Sequence, residues 1–287
     1  QNLKRSVLRH RLDDAQVLVS TLSTLVRAAP DLPVARHALI DEATQAMEPL
    51  LWAPVPYVQE LLLVGDPHQL GPVIKQPNNP LEADAFTRLV ARRGAPMLEV
   101  QYRMDRRIQA LVQHTYGPAY RPSPEVADHG GAPIWVDTAG AGMDEQRDPV
   151  TLSLHNPGEV RVVSLAVEQL RERGLHDIGI IAPYSAQVQR IRQRHPQLEV
   201  ATVNSFQGRE KQAIVCSFVR SNEQGELGFV SDPRRLTVAL TRARQALVLI
   251  GDSATLCSAP DFARLHEAVG PNLRSVWDDP WAQAMES

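Results

Sequence analysis

The sequence predicts an α/β protein built on mostly parallel sheets, and two observations predict it. Short, almost wholly apolar runs recur along the 287 residues, and amphipathic stretches with helical spacing alternate with them. Continuous apolar runs suit strands covered on both faces, as parallel sheets require. Regular alternation of such strands with helices marks an α/β architecture.

In chain order, strands are expected at 17–20 (VLVS), 37–40 (HALI), 60–64 (ELLLV) and 97–100 (MLEV). Further strands are expected at 178–181 (IGII), 199–203 (EVATV), 213–219 (AIVCSFV) and 246–250 (ALVLI). Helices are expected over 79–93, 106–116, 159–174 and 186–195, each with apolar residues recurring at three- and four-residue intervals. The stretch 117–158 is rich in Pro and Gly and reads as loops around one strand, APIWVDT at 132–138. After about 258 the helical segment FARLHEAV leads into a polar, acidic tail. A length of 287 residues suggests about two domains. The boundary is expected near Gly94–Pro96, giving a first lobe over 1–96, a second over 97–258 and a helix and tail over 259–287.

Composition sets limits. The hydrophobic fraction is 43% and the charged fraction 22%, both ordinary for a globular protein. No run of 18 apolar residues occurs, so no membrane partner is expected. Cys216 and Cys257 have the spacing of neither a zinc site nor a disulfide framework, which fits a reducing, cytoplasmic setting. The net charge of −3 gives no global argument for nucleic acid. Lysine occurs only at positions 4, 75 and 211, so nearly all the positive charge is arginine, the residue suited to bidentate phosphate contacts.

Five motifs carry chemistry. In ALIDEATQ, Asp41 and Glu42 follow an apolar strand directly. An aspartate there can hold a nucleotide's Mg²⁺, and a glutamate beside it can accept a proton from attacking water. In LLLVGDPHQLGPV, Gly65 and Pro67 shape a turn, and Gln69 can orient water or bond a phosphate oxygen. Asp41 and Gly65 lie 24 positions apart, which leaves room for one crossover and lets both turns reach the same sheet edge. VQYRM offers the Tyr102 ring and the Arg103 guanidinium at a strand end. VNSFQGRE combines Gln207, Gly208 and Glu210, with glycine allowing close approach of a ligand to the backbone. In RRLTVALTRAR, helical phase groups Arg234, Val238, Thr241 and Arg242 on one face.

In this order and at these distances, the five motifs resemble those of superfamily 1 helicases, in the branch that includes the nonsense-mediated mRNA decay helicase. The resemblance covers roughly residues 15–256. It implies two RecA-like lobes with ATP and Mg²⁺ between them and single-stranded DNA or RNA lying across both, with movement from 5′ to 3′. It assigns Mg²⁺ to Asp41, base catalysis to Glu42 and γ-phosphate sensing to Gln69. Tyr102 would pack on adenine and Arg103 would reach the γ-phosphate. Gln207, Gly208 and Glu210 would meet the nucleotide, the glutamate near the ribose, and Arg242 would be the arginine finger. It also implies nucleic-acid contacts from Ser20 and Thr21 in VLVSTLST, from Pro183 and Tyr184 in APYSAQ, and from Thr202 and Ser205.

Two departures matter. Asn204 stands where the family usually has Asp. No G-x-x-x-x-G-K-[ST] occurs, so the loop and lysine that cradle the β- and γ-phosphates are expected to come from a missing amino-terminal part of the same protein, making this first lobe incomplete. Gln1 in place of an initiator Met points the same way. On this reading the 287 residues hydrolyse no ATP alone. The competing reading is a non-catalytic nucleic-acid or protein interaction module on a degenerate helicase fold.

Overall fold

A computed structural model describes residues 10–28, 34–74, 76, 79, 81, 83–126, 128 and 131–278. The chain divides into two compact units, Gln1–Pro96 and Met97–Ser287. The expected helix and tail after residue 258 lies in the second of these.

In the first unit, Thr21 opens the helix α1 (Leu22–Ala28), its Oγ1 accepting from Thr24 N at 3.2 Å. Strand β1 (Ala35–Ile40) pairs in parallel with β2 (Val58–Leu63), and α2 (Ala85–Arg93) packs below them. Asp84 caps α2 through its carboxylate, which accepts from Thr87 N. The core here is small: Ile40, Ala43, Leu51, Ala85 and Phe86. The opposite face of the two-stranded sheet carries Leu39, 63% exposed, beside its register partner Leu62, 58% exposed. The strand expected at 17–20 is absent. Those residues have no regular structure, and Val17 and Val19 are exposed. An isolated β-branched run has strand propensity but needs a neighbour to hydrogen-bond with.

The second unit is dominated by a six-stranded, all-parallel sheet. Its chain begins with β3 (Val100–Gln101), α3 (Arg106–Leu111), β4 (Arg121–Pro122) and β5 (Ile134–Asp137). A short hairpin of β6 (Gln146–Arg147) and β7 (Leu154–His155) precedes α4 (Pro157–Glu172). Then come β8 (Ile178–Ala182), α5 (Ser185–Arg194), β9 (Glu199–Thr202) and β10 (Lys211–Ser217). The unit closes with α6 (Pro233–Leu240), β11 (Ala243–Gly251), α7 (Pro260–Val269) and β12 (Leu273–Ser275). Sheet order is β12-β5-β11-β10-β8-β9. The crossover after β8 goes to one side and the path through β10 and β11 returns to the other, the reversal typical of open α/β sheets.

Every residue of β8 is buried, which is why that strand reads as an uninterrupted apolar run. The amphipathic face of α4, with Val160, Val163, Val167 and Leu170, packs on Ile180, Val215 and Val248. Asn156 caps α4 by accepting from Glu159 N at 3.0 Å, and Pro157 takes the first helical position. Trp135, fully buried on β5, donates from Nε1 to Gly251 O at 3.1 Å. Gly179 has no room for a side chain, because an added Cβ would lie 2.5 Å from Phe206 Cζ. Four expectations need correction: the strand expected at 97–100 is confined to Val100–Gln101, the helix expected over 79–93 begins at Ala85 behind its Asp84 cap, and two more concern the stretch that follows. The helix expected over 106–116 breaks at Val112. The segment 117–158 carries β4, β6 and β7 in addition to β5. Among the described residues no helix is long and apolar enough to cross a membrane.

Candidate functional site

In the first unit, the parallel pairing of β1 and β2 sets two turns side by side. Val64 N donates to Ile40 O at 2.9 Å, and Ala43 N donates to Val64 O at 2.8 Å. Asp41 and Glu42 therefore leave the carboxyl end of β1 next to the Gly65–Gln69 turn that follows β2. Glu42 adopts a left-handed backbone, φ 52°, unusual for a residue with a side chain. Gln45 Nε2 donates to its Oε2 at 3.0 Å, while Asp41 Oδ1 accepts from Glu42 N at 2.9 Å. Gly65 is required by crowding: an added Cβ would sit 3.2 Å from Thr44 N and 3.3 Å from the Phe86 ring. Asp66 shapes the turn, accepting from His68 N at 2.9 Å and from Gln69 Nε2 at 2.8 Å. Ser20 and Thr21 are exposed at the start of α1.

Among the described residues, no three His, Cys, Asp or Glu side chains are grouped to hold a metal ion by themselves. A single exposed carboxylate such as Asp41 fits Mg²⁺ of the nucleotide-bound kind, where phosphate oxygens and water complete the octahedron.

In the second unit, three of the expected residues meet at the amino edge of the sheet. The buried Gln101 shapes their turn: its Oε1 accepts from Arg103 N at 2.8 Å and Met104 N at 2.7 Å, and its Nε2 donates to Met104 O at 2.7 Å. This fold of the chain leaves Tyr102 69% exposed and sends Arg103 toward Glu210. Arg103 Nε donates to Glu210 Oε2 at 2.6 Å, and Nη1 to Thr241 O at 3.3 Å. Tyr102, Arg103, Tyr120 and Glu210 line one open recess together with Leu98 and Val100. Arg244, which sequence reading did not single out, places Nη1 3.8 Å from Glu210 Oε1 and Nη2 3.5 Å from Asp177 Oδ2. Its carbonyl accepts from Asp105 N at 2.7 Å, tying β11 to the QYRM turn. Lys211 donates to Asp177 at 2.9 Å and holds that carboxyl below its ordinary range. Gly208 has φ 75°, and Gln207 Nε2 is buried without a hydrogen-bond partner.

Arg242 stands differently from the expected helical face. Helix α6 ends at Leu240, so Thr241 and Arg242 leave the helix and β11 begins at Ala243. Arg242 is 2% exposed, with Nε donating to Val238 O at 3.0 Å and Nη2 to Thr241 Oγ1 at 2.7 Å. Its guanidinium satisfies the carboxyl end of α6 from inside the unit.

The other expected residues gather at the opposite, carboxyl edge of the same sheet. Pro183 and Tyr184 follow β8, Thr202 ends β9 and Ser205 follows it, with Thr202 Oγ1 3.2 Å from Ser205 Oγ. Tyr184 does not present an open ring. It is 9% exposed, packs on Phe229 at a centroid distance of 4.7 Å, and accepts from Arg220 Nη1 at 3.2 Å. Arg220 is in turn held by Glu145 at 2.7 Å. Beneath this edge lies a wholly buried polar network. The Glu159 carboxylate accepts from Ser217 Oγ at 2.5 Å and from Val219 N at 2.9 Å, and Gln187 Nε2 donates to Ser217 Oγ at 2.8 Å. Val219 has φ 73°, a left-handed conformation costly for a β-branched residue. Burial pushes the Glu159 carboxyl up to about 8, although the Ser217 and Val219 donors pull the other way. Both cysteines are free, and burial raises the Cys216 thiol, which sits in the sheet as a small hydrophobe.

Comparison with known proteins fits this geometry. AAA domain families match residues 1–77 and 81–254. DNA-binding protein SMUBP-2 of Mesocricetus auratus is 39% identical over 245 residues, 76% of this chain and 25% of that protein. DNA polymerase alpha-associated DNA helicase A of Saccharomyces cerevisiae is 36% identical over 278 residues, 82% of this chain and 41% of its own length. A Regulator of nonsense transcripts 1 homolog of Arabidopsis thaliana is 35% identical over 298 residues, covering 91% of this chain and 23% of that protein. The chain belongs to the AAA-domain superfamily 1 helicases.

The chain spans between 23% and 41% of the length of these relatives. Its second unit separates two kinds of chemistry across one sheet. Arg103 and Arg244 meet Glu210 beside Tyr102 at the amino edge, whereas the Thr202 and Ser205 hydroxyls and the Tyr184–Phe229 pair lie at the carboxyl edge. Sequence reading missed Arg244, Phe229, Arg235 and the Glu159 network. Arg244 lay within the quoted LTRAR motif, two residues past Arg242, but only Arg244 belongs to β11, and the two guanidiniums go to different partners.

Proposed function

We propose that this chain works within an ATP-dependent nucleic-acid helicase or translocase, the phosphate-binding loop being supplied from outside the 287 residues. The observation that carries the reading is the convergence of Tyr102, Arg103 and Glu210 on one recess, with Arg244 behind the shared carboxylate. An aromatic face, a guanidinium and a carboxylate suit a base, a phosphate and a ribose hydroxyl respectively. Asp41 would hold the Mg²⁺ that comes with ATP, and the ion would supply neutralisation of the phosphate charge. Glu42 takes the proton of attacking water, and Gln69 positions that water or the γ-phosphate. The γ-phosphate draws Arg103 from Glu210, and Arg244 is near enough to keep the released carboxylate compensated. Gln207 and Gly208 meet the nucleotide through an unpartnered amide and an accessible backbone. Arg242 serves as the arginine finger after leaving the Val238 carbonyl and the Thr241 hydroxyl.

On the nucleic-acid side, Ser20 and Thr21 in the first unit and Pro183, Thr202 and Ser205 in the second hold a single strand. Hydroxyl contacts to phosphate position a strand without reading its sequence, which suits a motor that works on DNA or RNA alike. Cycles of binding and hydrolysis alternate the grip on that strand, with 5′ to 3′ movement.

The test is steady-state ATP hydrolysis by the protein carrying the phosphate loop, with single-stranded oligonucleotide present. Arg103→Ala is expected to lower kcat by on the order of 10³, within the span for arginines that stabilise phosphoryl transfer. Unchanged kcat would remove Arg103 from the reaction. Purified residues 1–287 are expected to show no stimulated hydrolysis, and robust turnover by them would refute the need for an outside loop.

A further inference from the structure

The connection after β10 brings a second aromatic side chain to the carboxyl edge of the sheet. Phe229 sits in a short 3-10 turn, Gly228–Ser231, and is 44% exposed, although its neighbours Leu227 and Val230 are buried. Its ring rests against Tyr184, the planes inclined at 53°. Tyr184 is fixed from behind by the Arg220–Glu145 ion pair. The guanidinium of Arg235 lies 4.9 Å from the Phe229 centroid. Arg235 Nη1 donates to the neutral Asn204 Oδ1 at 2.5 Å. Its ion-pair partner is Asp232, whose Oδ2 lies 3.6 Å from Arg235 Nε while its Oδ1 caps α6 by accepting from Arg234 N. The exposed Ser205 and half-buried Thr202 hydroxyls end the adjacent strand.

We propose that Phe229, braced by Tyr184 and flanked by Arg235, is the base-stacking platform of a single-stranded nucleic-acid site on the carboxyl edge of the second unit. This rests on the nucleic-acid reading above and names the residue that meets the bases. An exposed ring held rigidly from behind offers a π-face that any base can use, and it loses little freedom on binding. Arg235 holds a cation over the ring that the phosphate following a stacked base can meet. Tyr184 is the buttress: its own ring is nine-tenths covered, so it acts by holding Phe229 in place.

The experiment is equilibrium binding of fluorescein-labelled oligothymidylate and oligouridylate to residues 1–287, over a range of salt. Variants are Phe229→Leu, Phe229→Trp and Asn204→Asp, each with its thermal midpoint measured. Phe229→Leu keeps an apolar contact with Tyr184 but has no π-face, and is expected to weaken binding about 5- to 100-fold with little change in midpoint. Phe229→Trp is expected to restore affinity and to show emission quenched by oligonucleotide beyond that of the wild type. Asn204→Asp sets a second carboxylate against Arg235, and is expected to weaken binding and reduce the salt slope by about one. Loss on both oligonucleotides supports a platform common to DNA and RNA, and loss on one assigns it to that strand type. If the wild type binds and Phe229→Leu binds equally well, this inference fails alone. If the wild type binds neither strand, the nucleic-acid reading fails and takes this with it.

Discussion

Replacing Glu159 by glutamine tests whether the buried acid under the carboxyl edge is held neutral. Glu159 is fully buried, and burial lifts its carboxyl from the ordinary 4.5 to about 8. A carboxyl raised on folding stabilises the folded state fully below its unfolded value, and that contribution is lost as pH rises through the folded value. The window here runs from about 4.5 to about 8. Between pH 6 and pH 8 the loss is roughly 1.4 kcal/mol per pH unit, or about 3 kcal/mol in all. Glutamine resembles the neutral acid in shape and cannot ionise. It still accepts from Val219 N, which keeps the strained exit from β10 in place. The assay is urea unfolding of wild type and Glu159→Gln at pH 6 and pH 9, taking the difference at each pH so that other titrating groups cancel. The variant is expected to match the wild type within about 1 kcal/mol at pH 6 and to exceed it by about 2–3 kcal/mol at pH 9. A difference independent of pH refutes the reasoning, because it would mean that Glu159 keeps one charge state throughout.

Other outcomes follow from the same geometry. Arg242→Ala removes the donors to Val238 O and Thr241 Oγ1, and is expected to lower the unfolding free energy by about 1–3 kcal/mol in addition to any effect on turnover. Unfolding identical to wild type in urea would show that the buried guanidinium contributes nothing to the fold. Gly179→Ala sets a methyl within 2.9 Å of Ile214 Cδ1 and Lys211 Cγ as well as on the Phe206 ring. The expected cost is about 1–3 kcal/mol, read as a lowered thermal midpoint, and an unchanged midpoint would mean that β8 can shift freely.

Much of the fold was legible in the chain because burial on both faces leaves a direct trace. The runs at 178–181, 213–219 and 246–250 are almost wholly apolar, and they became the parallel centre of the six-stranded sheet. The run at 17–20 has the same composition and formed no strand, because composition says nothing about whether a partner edge is at hand. Local spacing placed Asp41 and Gly65 on neighbouring turns, since two successive parallel strands joined by a short crossover leave little choice. Local spacing failed at LTRAR, where extending the helical phase put Arg242 on a face that ends two residues earlier. The order of motifs along the chain identified the family and named most of the candidate residues. Which of them share a site was decided by tertiary structure alone: the crossovers bring positions 103, 210 and 244 to one edge and 184, 204 and 229 to the other. The physical reason is that a side chain's partners depend on strand order and register. These are set by how whole elements pack, over separations of a hundred residues and more, and no short window of sequence records them.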